Sequence, residues 1–124
     1  MDNIVIRPLT EADILDFYKA CLPKPCRGWA IDYNGYLVAI VGVTIGDVML
    51  AWSDIRKGVR IPPRVIWETA QILMGKISDL RYPMIYAVAK KEIKTAPAFL
   101  RRLGWVHTES GSRGEIFLWQ IPSR

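Results

Sequence analysis

The side chains best suited to catalysis or binding lie between Ser53 and Arg64, a segment that holds a hydroxyl, a carboxylate and four cations. The cations precede a helix whose start is marked by paired prolines, and the positive N-terminal end of a helix attracts anions. The whole chain carries a net charge of +5, which suits a phosphorylated cofactor or a nucleic acid as partner. An ordinary solvated basic loop is the alternative interpretation.

Cysteine and histidine are too few and too scattered to indicate a metal site. The two cysteines are Cys21 and Cys26, and His107 is the single histidine. A structural zinc site takes about four such ligands, and a disulfide framework takes several cysteine pairs. We therefore expect no metal, two structural or incidental thiols, and a histidine that is packed or on the surface.

Length and composition indicate a folded intracellular protein. The 124 residues suit a single domain over residues 1–124, and the 51% apolar content with five tryptophans indicates a packed core. No apolar stretch reaches the ~20 residues that span a bilayer, and the N-terminus lacks a signal-peptide pattern. We expect a cytoplasmic protein that does not enter a membrane.

A strand and a helix are predicted at the N-terminus. The strand covers residues 4–7, and Thr10 with Asp13 forms the capping-box pattern that predicts a helix start. The helix should end before Pro23. The side chains expected on its inner side are Ile14, Leu15, Tyr18, Cys21 and Leu22.

An antiparallel meander is predicted next. Its strands cover residues 29–33, 36–43 and 48–53. Asn34-Gly35 is a strong signal for a tight hairpin between the first two of these strands. The middle strand is apolar on both faces, which is typical of a sheet centre covered on both sides.

The C-terminal half is predicted to contain one crossover and a final hairpin. Pro62-Pro63 starts the main helix, whose apolar stripe consists of Ile66, Ala70, Leu73, Ile77 and Leu80. A strand over 84–89 then runs parallel to 48–53 through a right-handed connection. A short helix ends at Gly104, and strands 105–109 and 115–121 form the hairpin.

The segment around Gly104 resembles the C-terminal helix and strand of the GCN5-related N-acetyltransferases. The family pattern there is roughly Asn-x-x-Ala-x-x-Phe-Tyr-x-x-x-Gly-Phe, and Ala96, Phe99, Gly104 and Trp105 match its spacing. Ile93 and Leu100 replace its Asn and Tyr. The element order βα-βββ-αβ-αββ matches along the whole chain. The resemblance implies an α/β (α+β) fold with a mixed, mostly antiparallel sheet of about seven strands, helices on both faces and one βαβ crossover.

The resemblance also implies acetyl-CoA as the cofactor, in a gap between the fourth and fifth strands. The family holds the pyrophosphate on backbone N–H groups of a glycine-rich loop that starts the main helix. The matching positions here are Arg56, Lys57, Gly58, Val59 and Arg60, with Phe99 on the C-terminal helix beside the cofactor. The loop departs from the pattern because it has one glycine and its two prolines have no N–H to donate.

Family catalysis implies a carboxylate, or a water that it orients, to take a proton from the acceptor amine. Asp54 after the fourth strand and Glu92 after the fifth are the candidates, and Ser53 could orient a water. Leu100 stands where the family has a tyrosine acid, so the departing thiolate leaves without it.

Phe99-Leu100 together with Trp52-Ser53-Asp54 resembles a subset of this family, the small acetyltransferase-like proteins of tailed bacteriophages of the internal virion protein A type. Two functions follow from these resemblances. The first is acetyl transfer to an amine of a small molecule or protein. The second is a non-enzymatic virion or host-interaction role on the same fold. Nucleic-acid binding by the basic loop has no recognition motif behind it, and the sequence specifies neither the acceptor nor the oligomeric state.

Overall fold

The computed structural model describes residues 3–19, 26–91 and 93–120. One seven-stranded sheet runs through the molecule in the order β1-β2-β3-β4-β5-β7-β6. Its strands are β1 (Ile4–Pro8), β2 (Cys26–Tyr33), β3 (Tyr36–Thr44), β4 (Leu50–Ile55), β5 (Met84–Lys90), β6 (Val106–Gly111) and β7 (Gly114–Gln120). The helices are α1 (Glu11–Tyr18), α2 (Pro63–Asp79) and α3 (Ala96–Leu103). Among the strands of these described residues, only β4 and β5 pair in parallel, so the predicted fold class and element order are confirmed.

The helices cover both faces of the sheet. Residues of one strand alternate between faces, so Ile31 of β2 packs with Leu73 of α2 while Asp32 hydrogen-bonds Arg7 on the α1 face. The centre of β3 is buried on both faces, including Ile40 and Val43 at 0% exposure. This confirms the prediction for the middle strand.

The start of α1 is held by a partly buried ionic cluster. Thr10 and Asp13 form the predicted capping box. Both carboxylate oxygens of Asp13 accept hydrogen bonds from Arg7 at 2.8 Å, and Arg7 Nε donates to Asp32 at 2.8 Å. The Arg7 guanidinium therefore lowers the pKa of Asp13 to about 2. One arginine thus ties β1, β2 and α1 together.

The predicted inner side of α1 is wrong in part. Leu15 is 46% exposed and Tyr18 is 37% exposed. The helix ends at Tyr18 because Lys19 adopts the left-handed conformation, with φ of 59°. Cys21 and Leu22 lie outside the described residues. The contacts of the helix with Arg7 and Arg56 are polar, which is consistent with the exposure of its apolar side chains.

The predicted main helix is confirmed in α2, together with the Leu73 and Ile77 positions of its apolar stripe, while Val65, outside that stripe, is also buried. The Pro62 carbonyl accepts hydrogen bonds from the N–H groups of Val65 and Ile66. Leu73 and Ile77 are buried against the sheet. Within the described residues, no helix is long and apolar enough to cross a membrane.

The stop signal at the end of α3 is also confirmed. Gly104 has φ of +106°, and a Cβ there would lie 2.9 Å from the Trp119 ring. Only glycine satisfies both the backbone conformation and the close approach. The turn brings Trp105 directly into the core, where it is 4% exposed.

Replacing glycine by alanine should have opposite effects at two positions. Gly75 lies within α2 with nothing within 4 Å of its Cβ position, so Gly75→Ala should raise the free energy of unfolding by about 0.5–1 kcal/mol. Gly104→Ala should lower it by at least about 1 kcal/mol, because the backbone becomes strained and Trp119 must move. Urea denaturation of both variants checks this. Equal effects of the same sign would contradict the role given to Gly104.

Asp13→Asn should lower the free energy of unfolding by about 2 kcal/mol at pH 7, since the folded pKa lies well below the usual value of 3.8. A carboxylate with a lowered pKa stabilises the fold above its unfolded pKa, and that stabilisation is lost as the pH falls through the folded pKa. Most of the difference between variant and wild type should therefore disappear between about pH 4 and pH 2. Urea denaturation across this range measures it. Asp47→Asn, at an exposed turn, is the control and should show neither effect.

Candidate active site

The sheet opens between β4 and β5. The two strands pair only at Leu50 with Tyr86 and at Ala51 with Ala87. Beyond these positions they have no register with each other, although β4 stays paired with β3 as far as Ile55. The result is a gap that widens towards the carboxyl ends of the two parallel strands. This is the position at which the family resemblance implied a cofactor gap.

The gap is lined by unpaired backbone groups of β4. Arg56 N–H donates to the Val38 carbonyl at 2.7 Å, and inward and outward groups alternate along an antiparallel strand. The backbone groups of even-numbered residues of β4 therefore bond to β3, and those of odd-numbered residues point towards β5. Ser53 and Ile55 consequently direct their N–H and C=O groups into the gap. Such groups are costly to leave unpaired, so they favour a hydrogen-bonding ligand.

A carboxylate lies at the mouth of this gap. Asp54 of β4 accepts a hydrogen bond from the Tyr18 hydroxyl on Oδ2. Its Oδ1 lies 3.8 Å from Nζ of Lys90 at the end of β5, so the ion pair spans the opening. The Asp54 side chain is 35% exposed, which leaves it accessible from solvent. The three side chains bring α1, β4 and β5 together at one point.

The Tyr18 hydroxyl is poorly suited to donate its proton to a substrate. Partial burial raises its pKa well above the ordinary tyrosine value, and the hydrogen bond to the Asp54 carboxylate raises it further. Its role in this arrangement is to orient Asp54. Neither Tyr18 nor Lys90 was predicted as a site residue, because nothing in their local sequence indicates proximity to Asp54.

Arg56, a predicted cofactor-binding residue, is used to hold α1. Its Nε donates to the Leu37 carbonyl at 3.0 Å, and Nη2 donates to Asp16 at 3.0 Å. The guanidinium also lies over the Phe17 ring, 5.0 Å from its centroid. Two of its five N–H donors are thus engaged at the exit of β4.

The remaining loop residues are better placed to meet an anion. Lys57 and Arg60 are exposed, and within the described residues neither makes an ion pair. Gly58 has φ of +82° with open space around it. Val59 packs against the core cluster that contains Ile31 and Leu73, which anchors the loop. Two free cations are therefore presented on an anchored turn just ahead of α2.

Phe99 lies at the contact between α2 and α3. Its ring packs edge-on against Trp67 with centroids 5.7 Å apart, and Arg102 stacks on the same indole at 4.2 Å. Leu100 packs against the core and has no proton to give. The start of α3 is thus fixed to α2 by an aromatic contact.

Two other residues considered in the sequence analysis, Glu92 and His107, are not seen at the gap. Glu92 is outside the described residues. His107 is on the edge strand β6, where its Nε2 lies 2.9 Å from Glu115 Oε2, and Ser110 donates to the same oxygen at 2.6 Å. These two hydrogen bonds lower the pKa of Glu115. Within the part of the chain that the structure describes, no cluster of histidine, cysteine and acidic residues is arranged to hold a metal.

Comparisons by sequence and by structure differ sharply for this chain. No protein-family model and no curated protein sequence matches it. An acetyltransferase structure from Agrobacterium tumefaciens str. C58 matches with 14% identity and a TM-score of 0.68, over 94% of this chain and 90% of that one. An N-acetyltransferase from Staphylococcus aureus Mu50 matches with 12% identity and a TM-score of 0.70, over 96% and 98%.

A third solved structure is the aminoglycoside acetyltransferase AAC(6')-Ib in complex with coenzyme A. It is 12% identical, with a TM-score of 0.67, and the match covers 95% of each chain. At such low identity these likenesses concern the arrangement of the backbone. The seven-stranded sheet, its single parallel pair and the three helices give this chain the fold of the GCN5-related N-acetyltransferases.

Proposed function

We propose that the protein is an N-acetyltransferase that moves an acetyl group from acetyl-CoA to an amine of a small molecule or protein. The observation that supports this most directly is the gap between β4 and β5 with the Asp54 carboxylate at its mouth. An acyl transfer to an amine needs a base at the nucleophile and a binding slot for the donor. The presence of coenzyme A in a solved structure of the same fold adds support.

The unpaired backbone N–H and C=O groups of Ser53 and Ile55 suit the two amides of the pantetheine arm of acetyl-CoA. The arm would lie beside β4 as a further strand would. Lys57 and Arg60 would meet the pyrophosphate, together with backbone N–H groups from Gly58 to Ile61. Pro62 and Pro63 offer no N–H there. Arg56 would act by fixing the loop to α1, and Phe99 by setting the position of α3.

Acetyl-CoA supplies the activated thioester, whose carbonyl carbon bonds to the amine nitrogen as the thiolate departs. Asp54 takes the proton of the acceptor ammonium, directly or through a water held with the help of Ser53. Lys90 competes with that ammonium for Oδ1, and Tyr18 holds Oδ2 in place. Glu92 is a second candidate for the carboxylate. The second N–H proton leaves to solvent as the amide forms, and the thiolate takes its proton from solvent, since Leu100 has none.

The second candidate function is a non-enzymatic virion or host-interaction role in a bacteriophage. It is favoured by the engagement of Arg56 with Asp16, Phe17 and the Leu37 carbonyl. Because Arg56 holds α1 in place, the loop has fewer groups left to bind a phosphate. Cofactor binding and turnover separate the two functions.

Calorimetric titration with acetyl-CoA should show binding to the wild type. Arg60→Ala should weaken the affinity by about tenfold, because one charge-assisted hydrogen bond to phosphate is lost. Arg113→Ala, an exposed arginine at the β6–β7 turn, is the matched control and should leave the affinity unchanged. No heat and no thermal stabilisation at millimolar acetyl-CoA would exclude the enzyme.

Turnover is measured by thiol release in the presence of a panel of primary amines. Asp54→Asn should reduce kcat by about 10²–10³-fold while acetyl-CoA affinity is retained. Binding of acetyl-CoA without thiol release for any amine would instead favour the non-enzymatic role.

The contact between Tyr18 and Asp54 can be tested by its effect on the tyrosine pKa. Asp54→Asn should lower the pKa of Tyr18, since a negative charge next to the hydroxyl is removed. In Asp54→Asn the pKa of Tyr18 should still exceed that of N-acetyltyrosinamide, because the hydroxyl remains partly buried. Carbon-13 NMR of labelled tyrosine rings as a function of pH measures it, with Tyr18→Phe as the assignment control. An identical titration curve in both proteins would show that the hydroxyl and carboxylate are not in contact.

A further inference from the structure

An open groove runs between the edge strand β1 and helix α2, on the side of the sheet away from the gap. Its volume is about 790 Å³. Ile4 and Ile6 of β1 and Val65 and Ile72 of α2 provide its apolar surface. Ile72 is 54% exposed, although it lies on a helix whose opposite side is in the core. The groove therefore combines an apolar floor with a polar rim, and it is open to solvent.

The same two isoleucines present unpaired backbone groups. Leu9 N–H donates to the Gly28 carbonyl and Asn34 N–H donates to the Asn3 carbonyl, at the two ends of the β1–β2 ladder. Residues of odd number in β1 therefore bond to β2, and Ile4 and Ile6 turn their N–H and C=O groups outwards. Their side chains line the groove while their backbone groups lie beside it. This combination is what an added strand requires.

The two edges of the sheet differ in how they are protected. The β6 edge has a register irregularity between His107 and Glu109 and is lined by polar side chains, which discourage the addition of a strand. The outward positions of β1 are apolar, and its proline lies only at the end, at Pro8. Within the described residues no strand pairs with the outer side of β1, so this edge is open to a further strand.

The rim of the groove indicates the charge of its occupant. Glu68 is paired with Arg64 at 3.5 Å, whereas Lys76 makes no ion pair within the described residues. The rim therefore offers the positive charge of Lys76 to an occupant. The groove extends ~18 Å along α2, from position 64 to position 76, which corresponds to about five or six residues of extended chain.

A second copy of the chain is a poorer fit than an acidic segment. The acidic residue it would bring to this rim is Glu68, which is already paired with Arg64. Its own Lys76 would add positive charge to a rim that is already positive. We propose that the groove between β1 and α2 binds a short acidic peptide segment of a partner protein, which adds to β1 as an eighth strand. This binding is independent of acetyl transfer.

The test uses the blocked heptapeptide Glu-Thr-Val-Thr-Val-Thr-Glu, whose glutamates and valines share one face of a strand, and residue-resolved amide hydrogen exchange by NMR. Exchange at Ile4 and Ile6 should slow by at least about tenfold when the peptide binds, because both N–H groups gain a hydrogen bond. Exchange at the β6 edge should not change. No slowing at millimolar peptide would overturn the proposal.

A charge exchange tests the recognition separately. Lys76→Glu should weaken binding of the glutamate-ended peptide by about fivefold and should favour the same peptide with lysine at both ends. Arg113→Glu changes the net charge equally at a distant turn and should leave both affinities unaltered. Equal loss in the two variants would mean attraction by net charge alone and would overturn the specific site.

Two further measurements address the groove itself. Ile72→Asp places a charge on the exposed apolar surface, so it should abolish binding while the circular dichroism spectrum is retained. Without peptide, sedimentation velocity should show no self-association of the protein through the β1 edge. Protection of Ile4 and Ile6 that rises with protein concentration in the absence of peptide would identify a second copy as the occupant and would overturn the peptide proposal.

Discussion

The limited pairing of β4 with β5 is the constraint on which the rest of the structure depends. β4 is bound along its length to β3, and β5 is bound along its length to β7, as far as Lys90 opposite Gly114. Each strand follows the twist of its own antiparallel half of the sheet, so the two diverge after Ala51 and Ala87. The sheet is continuous at one end of this pair and open at the other.

The core keeps the two halves together despite the opening. Val43 of β3 belongs to the same buried cluster as Ile77 of α2 and Ile85, Ala87 and Phe117 of the other half. Helix α2 therefore bridges the halves on one face. Close backbone packing holds β7 against β5, since a Cβ on Gly114 would lie 1.9 Å from the Ala89 carbonyl oxygen. The opening is thus built into a rigid frame.

On the other face, α1 is held mainly by polar contacts, and these also position the candidate site. Arg7 ties the start of the helix to β1 and β2, and Arg56 ties its later part to the exit of β4. The last residue of the helix, Tyr18, then reaches Asp54. Arg56 serves the attachment of α1 in this arrangement, and its part in cofactor binding stays a prediction. The same residue type at Arg60 has no such partner within the described residues.

The sequence alone determined the order of the elements and most of their ends, because those signals act over a few residues. The capping box of Thr10, the Asn34-Gly35 turn and the left-handed stop at Gly104 each depend on the local backbone. The tertiary structure alone decided which side chains meet at the gap. Tyr18 and Asp54 are 36 residues apart, and their contact depends on where α1 lies across the sheet. Burial and backbone pairing are properties of packed elements and not of local sequence. For this reason the sequence did not reveal that Leu15 is exposed, that Arg56 contacts α1, or that backbone groups of Ser53 and Ile6 are unpaired.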